Sequence, residues 1–293
     1  MGHHPASSKT KPEGRTWLVG GQSIDLSRTG MIMGIVNVTP DSFSDGGHFH
    51  NSEAATDRAL ELEAEGANII DFGGESTRPG AAAVTVKDEL MRVLPPIKKF
   101  ASQRTAGTMI SIDTSKPEVA AATLDAGADI INDVTGFSNP EMRSVAAGSN
   151  CGMVLMHMLG MPQNMQTNPQ YVNVTSAVIS YWRKQLDLCM KDGISTQRVV
   201  LDPGIGFGKS LAHNLELLKA VPDMCTVDRP LLMGISRKSF IAALVEKEGI
   251  EQREWPTVAL SAYLRQQGAA ILRVHDPQPN LYAMRMSEAI LYG

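Results

Sequence analysis

Apolar and polar positions along the chain fall into a repeating unit. Short apolar runs, most of them rich in Ile, Val, Leu and Met, stand at residues 32–38, 69–72, 109–112, 130–131, 153–156, 199–201, 231–235 and 271–274. Helical pattern or loop lies between them, and runs of this length read as buried strands. Three are entered by echoing phrases: Gly66-Ala67-Asn68-Ile69-Ile70, Gly127-Ala128-Asp129-Ile130-Ile131 and Gly268-Ala269-Ala270-Ile271-Leu272. Glycine just past a helical pattern is a helix stop. A stop, one turn and a buried strand, used repeatedly, predict β/α units with parallel strands. Ahead of the first unit, Trp17-Leu18-Val19, a Gly20-Gly21 turn and Ile24-Asp25-Leu26 predict a β-hairpin. Ser115-Lys116-Pro117-Glu118 predicts a capping box with proline in the first turn. Pro95-Pro96, inside the helical pattern of Val86, Leu90, Val93, Leu94 and Ile97, predicts a kink or an early end.

Eight β/α units in about 250 residues predict an α/β fold, a single (β/α)8 TIM barrel with a short N-terminal hairpin. The domain is expected over residues 17–293, with residues 1–16 a disordered leader. An open doubly wound sheet is the structural alternative. Against it, no Gly-x-Gly-x-x-Gly follows the first strand.

Composition narrows the class. A chain of 293 residues with 43% hydrophobic content can bury a large core. A formal net charge of −4 gives no reason to expect nucleic acid or an acidic membrane surface as partner. Cys151, Cys189 and Cys225 are odd in number and widely spaced, which predicts reduced thiols rather than disulfides or zinc ligands. No run is long enough to span a bilayer, and the first 17 residues lack the apolar stretch of a secretory signal, so a cytoplasmic protein is expected. His3 and His4 belong to the leader and are not read as metal ligands.

Candidate chemistry gathers where strands end. The residue at or just past each apolar run is Asn37, Asp71 and then Gly73, Asp113, Asn132, His157, Asp202, Ser236, and finally Arg273 with His275. Side chains alternate along a strand, so Arg273 and His275 share a face with Ile271. If Ile271 points inward, that face is the barrel lumen, and these groups converge on one mouth. Asp113, Asn132 and Asp202 offer two acceptors and a bifunctional amide, a set that suits a flat heterocycle with several N–H donors, such as an amino-pyrimidinone. Aspartates at strand ends also cap helices, and Asp113 before Thr114-Ser115 is open to that reading. Lys238 and Ser239 follow the seventh strand at an expected helix N-terminus, and Arg273 and His275 end the eighth. These are the positions where barrels commonly hold phosphate.

The loops after the first two strands are long and rich in Gly, Pro, Ser and Thr, and are expected to close over a substrate. Asn37, with Asp41 and Asp45 beyond it, supplies hard oxygen ligands near the phosphate site, which makes magnesium the expected metal. Gly204-Ile205-Gly206-Phe207-Gly208-Lys209-Ser210 imitates a nucleotide P-loop, but Pro203 stands where its first glycine belongs. It reads as a close-packed loop with Phe207 available to lie against a planar ligand. His48 and His50 have no third metal ligand at suitable spacing.

The ordered motifs are specific as a set. They are Asn37-Val38-Thr39-Pro40-Asp41-Ser42-Phe43-Ser44-Asp45-Gly46-Gly47, Gly73-Gly74-Glu75-Ser76-Thr77-Arg78-Pro79-Gly80 and Asp113-Thr114-Ser115. Further along come Asn132-Asp133, Met156-His157-Met158, Asp202-Pro203-Gly204, Ser236-Arg237-Lys238-Ser239 and Arg273-Val274-His275-Asp276. By these the chain resembles the dihydropteroate synthase family, sulfonamide-drug targets of the folate pathway, over nearly its whole length beyond the leader. The resemblance implies a β/α barrel, a homodimer formed through outer helices, and a magnesium-assisted transferase. Its reaction joins 6-hydroxymethyl-7,8-dihydropterin diphosphate to p-aminobenzoate with release of pyrophosphate. It also implies that Asp113, Asn132, Asp202 and Lys238 hold the pterin ring, and Asn37, Arg273 and His275 the diphosphate, with Asn37 also on the metal. Phe43, Thr77, Arg78, Pro79 and Ser239 would shape the p-aminobenzoate site, joined by Asp45 as the first loop closes. Met156 and Phe207 are counted with the substrate-binding residues, and Lys238, Arg273, His275 and Asp45 with the catalytic ones. Two segments depart from the family pattern: Glu254-Trp255-Pro256-Thr257, where local repacking is expected, and Pro277-Gln278-Pro279, where the family more often shows a Val-Lys-Glu-like helix start. Rival readings are a pterin-binding methyltransferase barrel, which needs neither the Ser-Thr-Arg-Pro loop nor Ser-Arg-Lys-Ser, and a non-catalytic pterin-binding relative.

Overall fold

A computed structural model of the chain describes residues 15–39, 48–76, 80–160, 165–246, 249 and 251–293. Eight strands alternate with helices, as the repeated stop-and-strand phrases predict. The barrel strands are β3 (Met31–Asn37), β4 (Ile69–Gly73), β5 (Met109–Asp113), β6 (Ile130–Asp133), β7 (Gly152–Met156), β8 (Val199–Asp202), β9 (Leu232–Gly234) and β10 (Ile271–Val274). They form one parallel sheet in the order β8-β7-β6-β5-β4-β3-β10-β9. Its two ends meet at a parallel bridge between Leu201 and Leu231, reinforced by the Leu201 N–H donating to the Pro230 carbonyl at 2.9 Å. That contact closes the sheet into a barrel and removes its open edges. The doubly wound alternative is excluded.

The helices are α1 (His48–Ala64), α2 (Val86–Gln103), α3 (Pro117–Asp125), α4 (Pro140–Ala147), α5 (Val174–Lys191), α6 (Leu211–Lys219), α7 (Val221–Met224), α8 (Ser239–Val245), α9 (Glu254–Gln267) and α10 (Pro277–Tyr292). Outward strand residues such as Ile32, Ile70, Phe72, Ile112, Leu155, Leu201, Met233 and Leu272 pack against them in the larger apolar cluster. The alternate residues, Met33, Ile69, Ile130, Val154, Val200, Leu232 and Ile271, form a second cluster that fills the lumen. Period-two alternation thus divides each strand between two cores. Ile271 lies in the lumen, so Arg273 and His275 follow it on the inward parity.

The hairpin of β1 (Thr16–Val19) and β2 (Gln22–Asp25) stoppers the N-terminal end of the barrel. Trp17, Val19 and the following Leu26 belong to the lumen cluster, and the Trp17 indole N–H donates to the Arg198 carbonyl at 2.8 Å. The strand facing it begins with Gly152, where a Cβ would lie 2.8 Å from both Trp17 and Val19 side-chain carbons.

The early helix end and the capping box are corrected. The helix containing Pro95 and Pro96 does not end there; α2 continues to Gln103. Its buried stripe of Glu89, Val93, Pro96, Ile97 and Phe100 packs on the barrel, and that packing outweighs the hydrogen bonds the prolines remove. Nor does Ser115 form a capping box: the N-cap of α3 is Lys116, with no side-chain cap, although Pro117 does occupy the first turn. The Lys116 ammonium instead bridges Glu75 at 2.5 Å and the fully buried Glu89 at 2.6 Å. The departing segments keep their helices: Pro277 opens α10, and Glu254 opens α9 with Pro256 in its first turn. The three cysteines are free. Residues 1–14 of the expected leader lie outside the described residues.

Trp17→Ala should lower the unfolding free energy by about 3–5 kcal/mol through transfer loss and the cavity left behind. Denaturant unfolding checks this, and a loss under about 1 kcal/mol would mean that the hairpin does not seal the core.

Candidate active site

At the C-terminal ends of the strands the lumen changes from apolar to polar. Strand register sets Asn37 beside Gly73, Gly73 beside Asp113, and Asp113 beside Asn132; Met156 pairs with Asp202. Asp71, two residues below Gly73, is fully buried, as is its register neighbour Ser111. Arg273 enters this layer from β10. Its Nε donates to Asp71 Oδ2 at 2.6 Å and its Nη2 to Asp113 Oδ2 at 2.8 Å. The Asn132 amide donates to the same Asp71 oxygen at 3.0 Å. The capping reading of Asp113 is therefore not the observed one; its carboxylate faces Arg273.

Burial raises the Asp113 carboxyl to about 7: Arg273 pulls it down, and the Asp71 charge pushes it up again. Desolvation also opposes the Arg273 charge, but Asp71 and Asp113 outweigh it and hold the guanidinium protonated.

On the far side stands Asp202, raised by burial against the pull of Lys238. Burial lowers Lys238 to about 8, with Asp202 acting to restore its charge. The Lys238 ammonium donates to the Ile205 carbonyl and lies 4.2 Å from the Phe207 ring centroid, a cation–π distance. Lys238 is the N-cap of α8, so the expected helix N-terminus is found, with Ser239 its exposed first residue. Ser236 Oγ lies 2.9 Å from His275 Nδ1 and accepts from the His275 N–H at 3.2 Å. Arg58 of α1 donates to the His275 carbonyl at 2.9 Å.

Gly73 and Gly234 stand beside two of the acceptors. A Cβ at Gly73 would stand 3.7 Å from the Asp113 Cβ, and one at Gly234 the same distance from Asp202 Oδ2. A methyl at either position would be in ordinary van der Waals contact with these aspartate side chains.

The structure thus gathers Asn37, Asp113, Asn132, Met156, Asp202, Phe207, Lys238, Arg273 and His275 at one end of the barrel. Phe43, Asp45, Asp41, Thr77, Arg78 and Pro79 lie outside the described residues, as do the side chains of His48 and His50. Asp71, named among the strand ends, was given no role in the site. Its signal was available: a carboxylate on the lumen parity of an otherwise apolar strand requires a cationic partner. Asn132-Asp133 divides its labour, because Asp133 accepts from the Thr135 and Phe137 N–H groups at 2.8 Å each and shapes the following turn. The false P-loop is also explained, since Lys209 is buried with its ammonium spent on the His157 and Phe207 carbonyls.

A polar, charge-balanced mouth with these residue types in this chain order agrees with the family model described as "Pterin binding enzyme", which matches residues 33–275. The chain belongs to the pterin-binding enzymes. Within that family it is 44% identical over 271 residues to dihydropteroate synthase of Escherichia coli, covering 92% of this chain and 95% of that one. The Xanthomonas albilineans dihydropteroate synthase structure with 4-aminobenzoic acid superposes with a TM-score of 0.88 at 41% identity, covering 97% of this chain and all of that one. The same organism's enzyme in complex with 7,8-dihydropteroate superposes at 0.83 and 35% identity, over 95% of this chain and 99% of that one.

The raised Asp113 value has a sign that can be tested. An unfolded aspartate titrates near 3.9, so the folded state favours the neutral acid. The stability this contributes is complete below about pH 4 and is lost as pH rises through about 7. The unfolding free energy of wild type minus that of Asp113→Asn should therefore fall by on the order of a few kcal/mol across that window. Chemical denaturation at stepped pH reads it, and a pH-independent difference would contradict the assignment.

Proposed function

We propose that the chain condenses 6-hydroxymethyl-7,8-dihydropterin diphosphate with p-aminobenzoate, giving 7,8-dihydropteroate and pyrophosphate. The observation that carries this reading is the donor–acceptor ring at the mouth, Asp113, Asn132 and Asp202 facing Lys238, in a chain of this family. The amino-pyrimidinone edge of a pterin offers N–H donors to the three acceptor side chains and a carbonyl to the Lys238 ammonium.

The reaction breaks the bond between the pterin methylene carbon and a diphosphate oxygen. It forms a bond from that carbon to the aniline nitrogen, which then gives a proton to solvent. The ring system stabilises positive charge on the methylene carbon, so the largest task is electrostatic: cationic and donor groups at the leaving diphosphate, acceptors around the ring. Ser236 just past β9 and His275 just past β10 stand together with the α8 N-terminus nearby, and supply donors there. Arg273 contributes positive charge while two of its nitrogens remain on carboxylates. The aniline nitrogen is weakly basic and needs positioning more than deprotonation. No covalent nucleophile is required.

Magnesium is part of the proposal. Among the described residues no cluster of three His, Cys, Asp or Glu forms a cage. Asn37 offers a single amide oxygen at the mouth, a donor set that fits an ion whose other ligands are water and substrate diphosphate. Bound there, the ion would neutralise charge on the departing diphosphate.

A homodimer through α9 and α10 completes the reading. Tyr282, Met286 and Ile290 of α10 recur every four residues and are 60%, 64% and 74% exposed, with Trp255 of α9 also exposed at 79%. A stripe of this kind on adjacent helices suits a symmetric partner. No helix among the described residues is long and apolar enough to cross a membrane.

The test is pyrophosphate release with the pterin diphosphate and magnesium, with and without p-aminobenzoate, then with a competing sulfonamide. Release should require p-aminobenzoate and fall with the sulfonamide; pterin binding without release would instead indicate a non-catalytic binder. Sedimentation should give twice the chain mass, and Met286→Glu should shift it to one; a monomeric wild type would refute the dimer.

A further inference from the structure

The loop between β8 and α6 is held by a different donor at each successive carbonyl. The Gly204 carbonyl accepts from the Phe207 N–H at 3.0 Å, Ile205 from Lys238, Gly206 from Gln166, Phe207 from Lys209 at 3.0 Å, and Gly208 from the Tyr171 hydroxyl at 2.9 Å. Gly204, Gly206 and Gly208 all have positive φ. The loop presses so closely on the segment after β7 that a Cβ at Gly204 would sit 2.0 Å from the His157 carbonyl oxygen, and one at Gly208 2.4 Å from that of Leu159.

Lys209 joins these two segments from beneath. It is 3% exposed, and its ammonium lies 3.1 Å from His157 Nδ1, 3.3 Å from the His157 carbonyl and 3.0 Å from the Phe207 carbonyl. Three donors meet three acceptors, with no carboxylate in ion-pair contact among the described residues. An ammonium buried on neutral acceptors is costly, and burial accordingly lowers it to about 7, with Asp202 acting to restore its charge. A methionine would fill the same volume without that cost. What the ammonium adds is geometry: it fixes Phe207, whose ring lies beside the Lys238 ammonium, in a loop whose Ile205 carbonyl accepts from it.

We propose that Lys209 is a positioning residue for the pterin ring, locking residues 204–208 in the form that seats Lys238 opposite Asp202. This rests on the pterin reading of the mouth. Lys209 itself touches no reacting atom.

The experiment measures steady-state kinetics of Lys209→Met and Lys209→Gln against wild type, varying each substrate separately. Lys209→Met should raise KM for the pterin diphosphate about tenfold and leave KM for p-aminobenzoate within about twofold. Lys209→Gln, which keeps a donor of shorter reach, should recover part of the loss. An unchanged pterin KM, or an equal rise in both KM values, would overturn the proposal. So would failure of both variants to fold, which would make Lys209 a structural residue. If the wild type turns over no pterin diphosphate, the reading of the site itself falls, and this proposal with it, before any variant is compared.

Discussion

Placing carboxylates inside a barrel costs several kcal/mol each unless a cation shares the space, and here Arg273 lies between Asp71 and Asp113 to meet that condition. Much of the mouth depends on this arrangement. A guanidinium presents its donors in a rigid fork, so Nε and Nη2 can bind two different carboxylates and fix their separation. Asp71 Oδ2 acts as an acceptor, so it also settles which way the Asn132 amide points: Nδ2 faces Asp71 and Oδ1 remains as an acceptor. One oxygen of Asp113 is likewise taken up and the other left. The buried network therefore orients the acceptors that a ring would meet, before any ligand arrives. That is preorganisation in a literal sense.

The two sides of the mouth are built differently. Asn37, Asp113, Asn132, Asp202 and Arg273 stand on strands, whose positions are set by register and by the apolar layer beneath them. Lys238 and Phe207 stand beyond strand ends, and depend on loop geometry: left-handed glycines, a carbonyl for each donor, and a close backbone approach to His157. Strand-borne acceptors facing a loop-borne cation suit a site that must grip one ring firmly while a second substrate enters over it.

Much of this was legible in the sequence. Helix-stop glycines at 66, 127 and 268 all take positive φ, and the strand parity that placed Arg273 in the lumen holds. Strand-end residues were legible because a polar group closing an apolar run has few bland explanations when nearly every run ends that way. What escaped were partnerships made across the fold. Asp71 and Arg273 are separated by 202 positions, and Lys209 and His157 by 52. Nothing local marks one as the partner of the other. The early helix end expected at Pro95-Pro96 and the capping box expected at Ser115 gave way for one cause: tertiary contacts overrode a sound local rule, once by packing an apolar stripe and once by drawing Lys116 to buried Glu89.

The most direct test of the account is a crystal structure with a dihydropterin diphosphate bound. The account predicts the ring's amino-pyrimidinone edge within hydrogen-bonding distance of Asp113, Asn132 and Asp202, its carbonyl on Lys238, and Arg273 still paired with Asp71. A ring seated elsewhere, or an Arg273 withdrawn from Asp71 to reach the diphosphate, would contradict the claim that a prebuilt charge network sets the site.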